Sequence, residues 1–496
     1  MPYISKFEGA EPDGTAWTRV DGSAPGSRYR TQLLPWAVPT LEHMVDTPAQ
    51  PSPQIPADPD WPQSPAARNA QDLAELVMAS PSSFHAAAEG ARRLEAAGFH
   101  QLDERDAWSG DDVRQPSYVV RDGALIAWVT PEALGERAGF RVVGAHTDSP
   151  SFKLKPRPST GHSGWWQAGV EIYGGPLVNS WLDRELRLAG RITVRTEQGA
   201  ESRLVATEPV ARIPQLAIHL DRGANKALSL DPQQHTQPIW GCGDEPGDVL
   251  ALLAEAASRG GLRVRAEDLL GWDIVLADTQ QPRLFGAHQE LLASGRLDNL
   301  TSVHAGLEAL TGRLDDLRGG RHIAMLAAFD HEEVGSRTRS GAAGPFLEDV
   351  LVRVGAALGW DEDRRRAAIA SSSCLSSDAG HLVHPNYPGH HDPAVRPMPG
   401  GGPLLKINAD QHYTTDADGA AQWRLACRSA DVPVQEFVSH NAVPCGSTIG
   451  PITAGRLGMR TLDVGVGLLS MHSAREMVHL EDLHGLGQAM QEWLLG

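Results

Sequence analysis

The chain has 496 residues, of which 41% are apolar and 21% are charged, and its formal net charge is −18. This length and apolar content suit two or three domains with sizeable cores, which excludes a chain that is disordered throughout. The acidic excess argues against a nucleic-acid or anionic-membrane partner, because such partners are bound by clustered Lys and Arg side chains.

The proline-rich stretch at the front of the chain sets residues 1–66 apart as an N-terminal extension. Nine prolines fall within the 31 residues from Pro35 to Pro65. Proline resists both helix and sheet, so the pattern predicts an extended arm or linker. Two interpretations stay open: a mobile tail, or an arm that docks on a neighbour through apolar residues such as Trp36 and Trp61.

Residues 67–152 begin the folded part with helices and then strands. Apolar spacing predicts one helix from near Ala67 and a second over 82–97, which Gly98 ends. Three strands are predicted next, at 118–120, 125–129 and 140–145. From 153 to 288 the pattern changes to short alternating runs and turns, which predict a mostly β insert. Its clearest runs are 169–173, 186–196 and 211–219.

From residue 289 onward, helical patterns again alternate with strands that are apolar on both faces. The predicted helices are 300–310, 346–358, 420–429 and 480–495. The predicted strands are 323–329, 367–371 and 461–466. Strands of this kind imply an α/β fold, a mixed central sheet with helices on both faces. We therefore expect one α/β domain, 67–152 plus 289–496, interrupted by the β insert at 153–288.

Acidic and histidine clusters stand where several of these strands end, which is where α/β sheets gather functional residues. His146 follows one buried strand, and Asp148 lies two residues further on. A metal-bound imidazole usually donates its other N–H to a carboxylate, so Asp148 is the expected partner. A His–Asp pair that only closes the strand is the structural alternative. Asp298 precedes a helix, where it could cap the helix or bridge two cations.

The clearest cluster follows the apolar strand 323–329 and contains the adjacent residues Glu332 and Glu333. Neighbouring side chains diverge, so one glutamate can bind a metal while the other faces an attacking water. Asp378 and His472 follow later strands, where each alone could be a turn former or a core histidine. Two His, two Asp and one Glu match a pair of zinc ions bridged by the aspartate before the helix, with cobalt or manganese as alternatives.

This set of groups predicts a hydrolase. Two cations roughly 3.5–4 Å apart would lower the pKa of a water and polarise the scissile carbonyl. Glu332 would take the proton of the water and pass it to the leaving amine. A free α-amino group could coordinate one of the metals, which predicts removal of single residues from peptide N-termini.

Nine segments between residues 71 and 484 point to one known family. The most distinctive are AHTDSP, FDHEEVGS and MHSARE; the others are SPSSFHA, NSWLDRELRLAGR, SGRLDN, SSDAGHLVHPNY, LLKINADQHYTTDA and CGSTIGPI. In these segments the chain resembles the aspartyl aminopeptidases, di-zinc peptidases that assemble as tetrahedral dodecamers. The resemblance implies an α/β fold of the zinc-peptidase type, with the insert as its dimerisation domain.

The resemblance also implies roles for individual residues. The zinc ligands it implies are His146, Asp298, Glu333, Asp378 and His472, with Glu332 as general base. Lys406 is similar to the family lysine that pairs with an acidic P1 side chain, and Tyr413 to a substrate-lining tyrosine. His219 is similar to a histidine that reaches the active site of a neighbouring subunit, where it could stabilise the oxyanion. From the residues alone, the same three could be a snorkelling lysine, a core tyrosine and a half-buried strand histidine.

The chain departs from the family in one loop. Where Arg-x-Asp commonly precedes a Pro-Cys-Gly-Ser-Thr-type loop, this chain has His440-Asn441-Ala442-Val443 before Pro444. The change alters the shape and charge expected of the specificity pocket. The expected function is an aminopeptidase that prefers N-terminal Asp or Glu. The alternatives are a preference for neutral residues and a non-catalytic shell protein of the same fold.

The expected compartment is the cytoplasm. The four cysteines make no CxxC pair, which is typical of reduced thiols rather than of a disulfide framework or a zinc knuckle. The N-terminus lacks the basic patch and apolar stretch of a secretory signal. No apolar run reaches the length of about 18 residues that a transmembrane helix requires.

Overall fold

The computed structural model describes residues 61–245, 247–261 and 263–496, so most of the N-terminal extension lies outside the described residues. The helices are α1 (Pro65–Ala79), α2 (Ser83–Ala96), α3 (Gly110–Arg114), α4 (Val249–Arg259), α5 (Leu297–Thr311), α6 (Leu314–Arg318), α7 (Phe346–Ala357), α8 (Glu362–Ala370), α9 (Ala417–Ser429), α10 (Ile449–Leu457) and α11 (Leu480–Leu495). Among the residues described, none of these helices has both the length and the apolar character needed to cross a membrane.

The strands fall into three sheets. In chain order they are β1 (His100–Gln101), β2 (Ser117–Arg121), β3 (Ala124–Val129), β4 (Phe140–His146), β5 (Ser151–His162), β6 (Trp165–Tyr173), β7 (Leu186–Thr196), β8 (Gly199–Ala206), β9 (Ile239–Cys242), β10 (Leu269–Asp278), β11 (Arg283–Phe285), β12 (Leu291–Ser294), β13 (Ile323–Phe329), β14 (Ser373–Ser377), β15 (Gly380–His381), β16 (Leu404–Lys406), β17 (Gln435–Phe437), β18 (Arg460–Gly465), β19 (Gly467–Leu469) and β20 (Glu476–His479).

A mixed sheet of nine strands forms the centre of the α/β part, in the order β1-β2-β3-β13-β4-β14-β18-β16-β17. Its middle strands β13, β4, β14 and β18 are parallel neighbours. They are also in register, since Phe329 pairs with His146, and Ser376 pairs with Gly144. The segments that follow β4, β13 and β14 therefore begin at one edge of the sheet, where the sequence placed its clusters.

Helices cover both faces of this sheet. On one face α1, α5 and α11 bury apolar side chains such as Leu73, Leu300 and Leu486 against the strands. On the other face α7 and its neighbours bury Phe346 and Val350 beside Phe140. The mixed α/β architecture is therefore as predicted, and each face buries the apolar side chains that the strands present to it.

The insert contains a six-stranded antiparallel sheet in the order β8-β7-β10-β5-β6-β9. Its core combines residues of the sheet, such as Ile192, with Leu253 of α4, so the mostly β insert also contains a helix. A third sheet, β11-β12-β20-β19-β15, brings β12 beside β20. The domain boundaries at 153 and 288 stay predictions.

Two predicted strands are wrong. Residues 367–371 belong to the end of α8, which Asp361 caps by accepting the N–H of Arg364, and the strand β14 begins only at Ser373. In 211–219, only isolated bridges form up to Ile213. Pro214 has no N–H to donate to a sheet, and Leu220 then donates to the carbonyl of Ala217 in a turn.

Candidate metal centre

His146 is the last residue of β4, and its side chain is 2% exposed. Its Nδ1 lies 3.0 Å from the backbone carbonyl oxygen of Asp148 and 3.5 Å from a carboxylate oxygen of the same residue. The imidazole ring is thus fixed through its Nδ1, and its Nε2 faces the edge of the sheet. Asp148 lies where the sequence predicted, and its main chain approaches the imidazole more closely than its carboxylate does.

The Asp148 carboxylate also joins two of the predicted clusters. Its oxygens accept the backbone N–H groups of Glu332 at 3.0 Å and Glu333 at 3.2 Å, and the Tyr173 hydroxyl at 2.8 Å. Burial alone would raise the pKa of Asp148, but these hydrogen bonds and His146 lower it. Asp148 therefore fixes the turn that carries the two glutamates relative to the imidazole.

Asp298 lies between the two histidines. Its Oδ1 is 3.3 Å from Nε2 of His146, and its Oδ2 is 3.4 Å from Nε2 of His472. Asp298 and Asn299 have non-helical backbone angles at the start of α5. Although buried, Oδ1 has no hydrogen-bond partner among the described residues, which is costly unless a cation satisfies it. This geometry fits a bridging ligand and not a helix cap.

Each imidazole faces a second carboxylate. Asp378 Oδ1 lies 3.4 Å from Nε2 of His146, and Glu333 Oε1 lies 3.5 Å from Nε2 of His472. Three groups have candidate ligand atoms that all lie within 4.8 Å of one another. Two of them share Asp298: His146 with Asp298 and Asp378, and His472 with Asp298 and Glu333. The third joins His146 with Glu332 and Glu333. All five predicted ligands are brought together.

The residues present fit zinc. Each group offers one imidazole nitrogen and two carboxylates, which are donors that zinc accepts, and contains no thiolate. Burial alone would lower the pKa of His472, but Asp298 and Glu333 outweigh it and raise the pKa to about 10. Burial and the charge of Asp298 raise the pKa of Glu333 well above its usual range. The centre concentrates negative charge that cations would neutralise.

Glu332 diverges from Glu333, as expected for neighbouring side chains. Its Oε2 lies 4.0 Å from Nε2 of His146, and the side chain is 17% exposed. Burial raises its pKa to about 7, and the nearby Asp378 and Asp148 carboxylates act in the same direction. The turn that carries the two glutamates has left-handed backbone at His331 and Gly335, on either side of them. A carboxylate beside the ligands and open to the cleft is where a general base is needed.

The sequence did not identify Glu476, on β20. Its side chain is 2% exposed, and its two oxygens accept the backbone N–H groups of His472 at 2.8 Å and Asp298 at 3.1 Å. Burial and the charge of Asp298 raise its pKa to about 8. The only signal was its place in the MHSARE segment, two residues after Ala474. Its contacts are with main chain, which side-chain patterns do not reveal.

The centre opens into a cleft of about 430 Å³. Beyond the candidate ligands and Glu332, its walls include the side chains of His381, Tyr413, Thr448, Ile452 and Met471. His472 is held at the rim, because its Nδ1 lies 3.0 Å from the carbonyl oxygen of Gly175 in the insert. The insert thus contributes directly to the orientation of one candidate ligand.

Comparison with known proteins identifies the family of this chain. Residues 76–493 match the family described as the aminopeptidase I zinc metalloprotease (M18) family. The chain belongs to the M18 family. It is 51% identical over 430 residues to a probable M18 family aminopeptidase 2 of Streptomyces avermitilis, a match that covers 86% of this chain and 97% of the relative. As a member of this family, the chain is an aminopeptidase, a peptide hydrolase.

Solved M18 structures share the fold. The matching chain in the solved complex of Ape4 and Nbr1 superposes on this chain with a TM-score of 0.83 at 35% identity. The match covers 87% of this chain and 86% of the chain in the complex. The S. cerevisiae mApe1 dodecamer gives a TM-score of 0.73 at 28% identity, with 86% and 95% covered. The fold predicted from the sequence is confirmed by these structures.

Two residues that the family resemblance assigned to substrate, Tyr413 and Lys406, and one that it assigned to the oxyanion, His219, lie in different surroundings in this M18 chain. Tyr413 lines the cleft and is 6% exposed. Lys406 is fully buried behind it, where its Nζ donates to the carbonyl of Ala379 at 2.7 Å and lies 3.4 Å from Asp378 Oδ2. His219 lies in an exposed turn of the insert and does not line the cleft of its own chain, so its predicted strand environment is wrong.

Proposed function

We propose that this chain is a two-zinc aminopeptidase that releases single N-terminal residues, preferentially Asp or Glu. One observation carries the proposal: Asp298 presents one oxygen to His146 and the other to His472, and a further carboxylate completes each group. A carboxylate shared between two imidazole–carboxylate pairs is the ligand arrangement of a two-cation site.

The residues around the centre have different roles in hydrolysis. When bound, the zinc ions would polarise the scissile carbonyl and lower the pKa of the attacking water. Glu332 takes the proton of the water and returns it to the leaving amine. Asp148 holds the Glu332 turn and the His146 ring, so the base keeps its position beside the ligands. Cobalt or manganese could replace zinc at these oxygen and nitrogen donors.

The proposed acidic preference rests on the ammonium of Lys406, which is buried behind one wall of the cleft. The Lys406 ammonium lies 5.2 Å from the centre of the Tyr413 ring, which lines the cleft. We propose that Lys406 attracts the carboxylate of an N-terminal Asp or Glu while Tyr413 contacts the side chain. Burial and hydrogen bonding of Lys406 within the protein favour a second candidate, a preference for neutral residues.

We also propose a cytoplasmic homo-oligomer, a homododecamer built from dimers, with residues 153–288 as the dimerisation domain. The structural relative from S. cerevisiae is a dodecamer, and all four cysteines of this chain are free thiols. In the assembly, His219 would enter the cleft of a neighbouring subunit and donate to the oxyanion. Its exposed position in the insert supports this role.

The test is a panel of aminoacyl p-nitroanilides, with Asp, Glu, Leu and Ala, assayed with and without chelator and with added zinc, manganese or cobalt. We expect Asp and Glu to be cleaved fastest, activity to be lost with chelator, and zinc to restore it. Lys406→Met, which keeps the volume and removes the charge, should reduce kcat/KM for Asp more than for Leu. Equal losses, or faster cleavage of Leu by the wild type, would favour the neutral preference.

Metal analysis separates these candidates from the shell protein. A working centre holds two metal ions per chain, whereas a non-catalytic protein would hold fewer than about one and would cleave no substrate.

The matched control for Lys406→Met is Lys155→Met, because Lys155 lies in the insert and donates to Gln233. Loss of acidic preference in both variants would remove the role of Lys406.

A further inference from the structure

A fully buried carboxylate that lies outside the metal centre connects two loops. Asp463, on β18, is 0% exposed, so its oxygens need hydrogen-bond partners inside the protein. Oδ2 accepts the backbone N–H of Thr414 at 2.6 Å and the hydroxyl of the same residue at 2.9 Å. Oδ1 accepts the hydroxyl of Thr448 at 2.6 Å. The side chain therefore joins two loops that are distant in sequence.

Both of these loops line the cleft. Thr414 directly follows Tyr413, and Thr448 ends the run Gly446–Thr448; Tyr413 and that run are cleft walls. Thr448 also caps α10, because its hydroxyl accepts the N–H of Gly450 at 3.2 Å. A Cβ on Gly450 would lie 2.5 Å from Asp463 Oδ1, so only glycine lets the helix start come this close.

We propose that Asp463 is a positioning residue for substrate selection, which holds Tyr413 and the Gly446–Thr448 loop at a fixed separation. The inference rests on the proposed function, since it requires that the substrate side chain binds in this cleft. Asp463 has no exposed surface with which to touch a substrate. Its carboxylate acts through Thr414 and Thr448, so its loss should change substrate binding more than turnover.

The chain provides a matched control in Asp482. This side chain is also 0% exposed, and it accepts the N–H groups of Gly400 at 2.9 Å and Gly402 at 2.7 Å. It therefore holds a loop by the same chemistry, but neither glycine lines the cleft. A general cost of disturbing a buried carboxylate should appear in both aspartates, whereas a change in substrate binding should appear only in Asp463.

The experiment uses zinc-loaded, full-length protein and the same four p-nitroanilides. The variants are Asp463→Asn, Thr448→Val, Thr448→Ser and Asp482→Asn. For each we would measure kcat, KM, zinc per chain and the thermal midpoint. We expect Asp463→Asn and Thr448→Val to raise KM about tenfold, the effect of losing a hydrogen bond to a charged group. We expect kcat to change by less than about twofold, with zinc retained.

Thr448→Ser keeps the hydroxyl and should bring KM back towards the wild-type value. Asp482→Asn should lower the thermal midpoint without raising KM. An equal rise in KM in Asp482→Asn, or a fall in kcat with unchanged KM in Asp463→Asn, would overturn the inference. If Asp463→Asn does not fold, the comparison of Thr448→Val with Thr448→Ser tests the inference instead. Equal KM values in these two variants would contradict the positioning role of Asp463. A wild type that cleaves none of the panel would overturn the proposed function, and this inference with it.

Discussion

Glu476 accepts the backbone N–H of His472 through Oε1 at 2.8 Å, so a candidate ligand is held by its main chain as well as by its ring. The other oxygen of Glu476 accepts the N–H of Asp298, the residue between the two imidazoles. One buried side chain thus sets the spacing of a shared carboxylate and an imidazole. Partners that orient ligands in this way usually strengthen metal binding.

Replacing Glu476 by Gln should therefore weaken zinc binding about 10–100-fold, because the amide NH₂ group would face one of the two N–H donors. Competition with a chromophoric chelator measures this affinity directly. Glu481→Gln is the control, since Glu481 is exposed on α11. Equal zinc affinity in the two variants would show that Glu476 does not support the ligands.

Substitution of each of the two adjacent glutamates should distinguish an effect on catalysis from an effect on metal binding. Glu332→Gln should lower kcat by about 10²–10⁴-fold while zinc per chain stays unchanged, because the variant loses a general base. Glu333→Gln should lower zinc content, because its carboxylate faces His472 at 3.5 Å. Mass spectrometric metal analysis beside steady-state kinetics distinguishes the two. Wild-type kcat in Glu332→Gln would remove its assigned role.

The proximity of His146, Glu333 and Asp378 was predictable, because these candidate ligands follow strands whose ends share one edge of the nine-stranded sheet. The register of β13 and β14 on β4 turns distant motifs into neighbours, and apolar strands signal that edge in the sequence. Glu476 was not predictable in this way. Its role depends on the pairing of β12 with β20, which sets Ser294 opposite Glu476, and on contacts with main chain.

The errors in the fold have equally local causes. The run 367–371 is apolar enough for a strand, but the Asp361 cap and ion pairs from Glu362 to Arg365 and Arg366 favour a helix. The surroundings of Lys406 could not be read from its strand either. An apolar run containing a lysine does not show whether the ammonium reaches solvent or, as here, donates to the carbonyl of Ala379.

The stability of the chain should depend on pH through His85. Burial lowers the pKa of His85 to about 4, and the positive charges of Arg187 and Arg296 act in the same direction. In the unfolded chain a histidine has a pKa of about 6.5, so between these values the unfolded state binds more protons. The contribution of His85 to the free energy of unfolding is therefore fully present above about pH 6.5. It is lost as the pH falls towards 4, by on the order of 3 kcal/mol.

His85→Gln should remove this contribution. The thermal midpoint of the variant, measured at one protein concentration, should fall less between pH 6.5 and pH 4 than that of the wild type. His100→Gln replaces an exposed histidine and serves as the control. Parallel curves for the wild type and His85→Gln would contradict the assignment.

The exposed turn around His219 should be an assembly contact. Leu216, Ile218 and Leu220 are 58%, 45% and 75% exposed, an apolar cluster that is costly to leave in water. If the insert mediates self-association, Leu220→Asp would bury a charge in the contact and shift the protein to smaller species in sedimentation velocity. Activity should fall with assembly size, because His219 would no longer reach a neighbouring cleft.

Leu425→Asp is the matched control, because Leu425 is 62% exposed on α9, outside the insert. This variant should keep the sedimentation coefficient of the wild type. His219→Ala then distinguishes a role of His219 in the subunit contact from a role in catalysis. The variant should keep the assembly, and its kcat should fall by about 10²-fold, the effect of removing one oxyanion donor. An unchanged sedimentation coefficient in Leu220→Asp would show that subunits meet elsewhere, and full activity in His219→Ala would remove its role in catalysis.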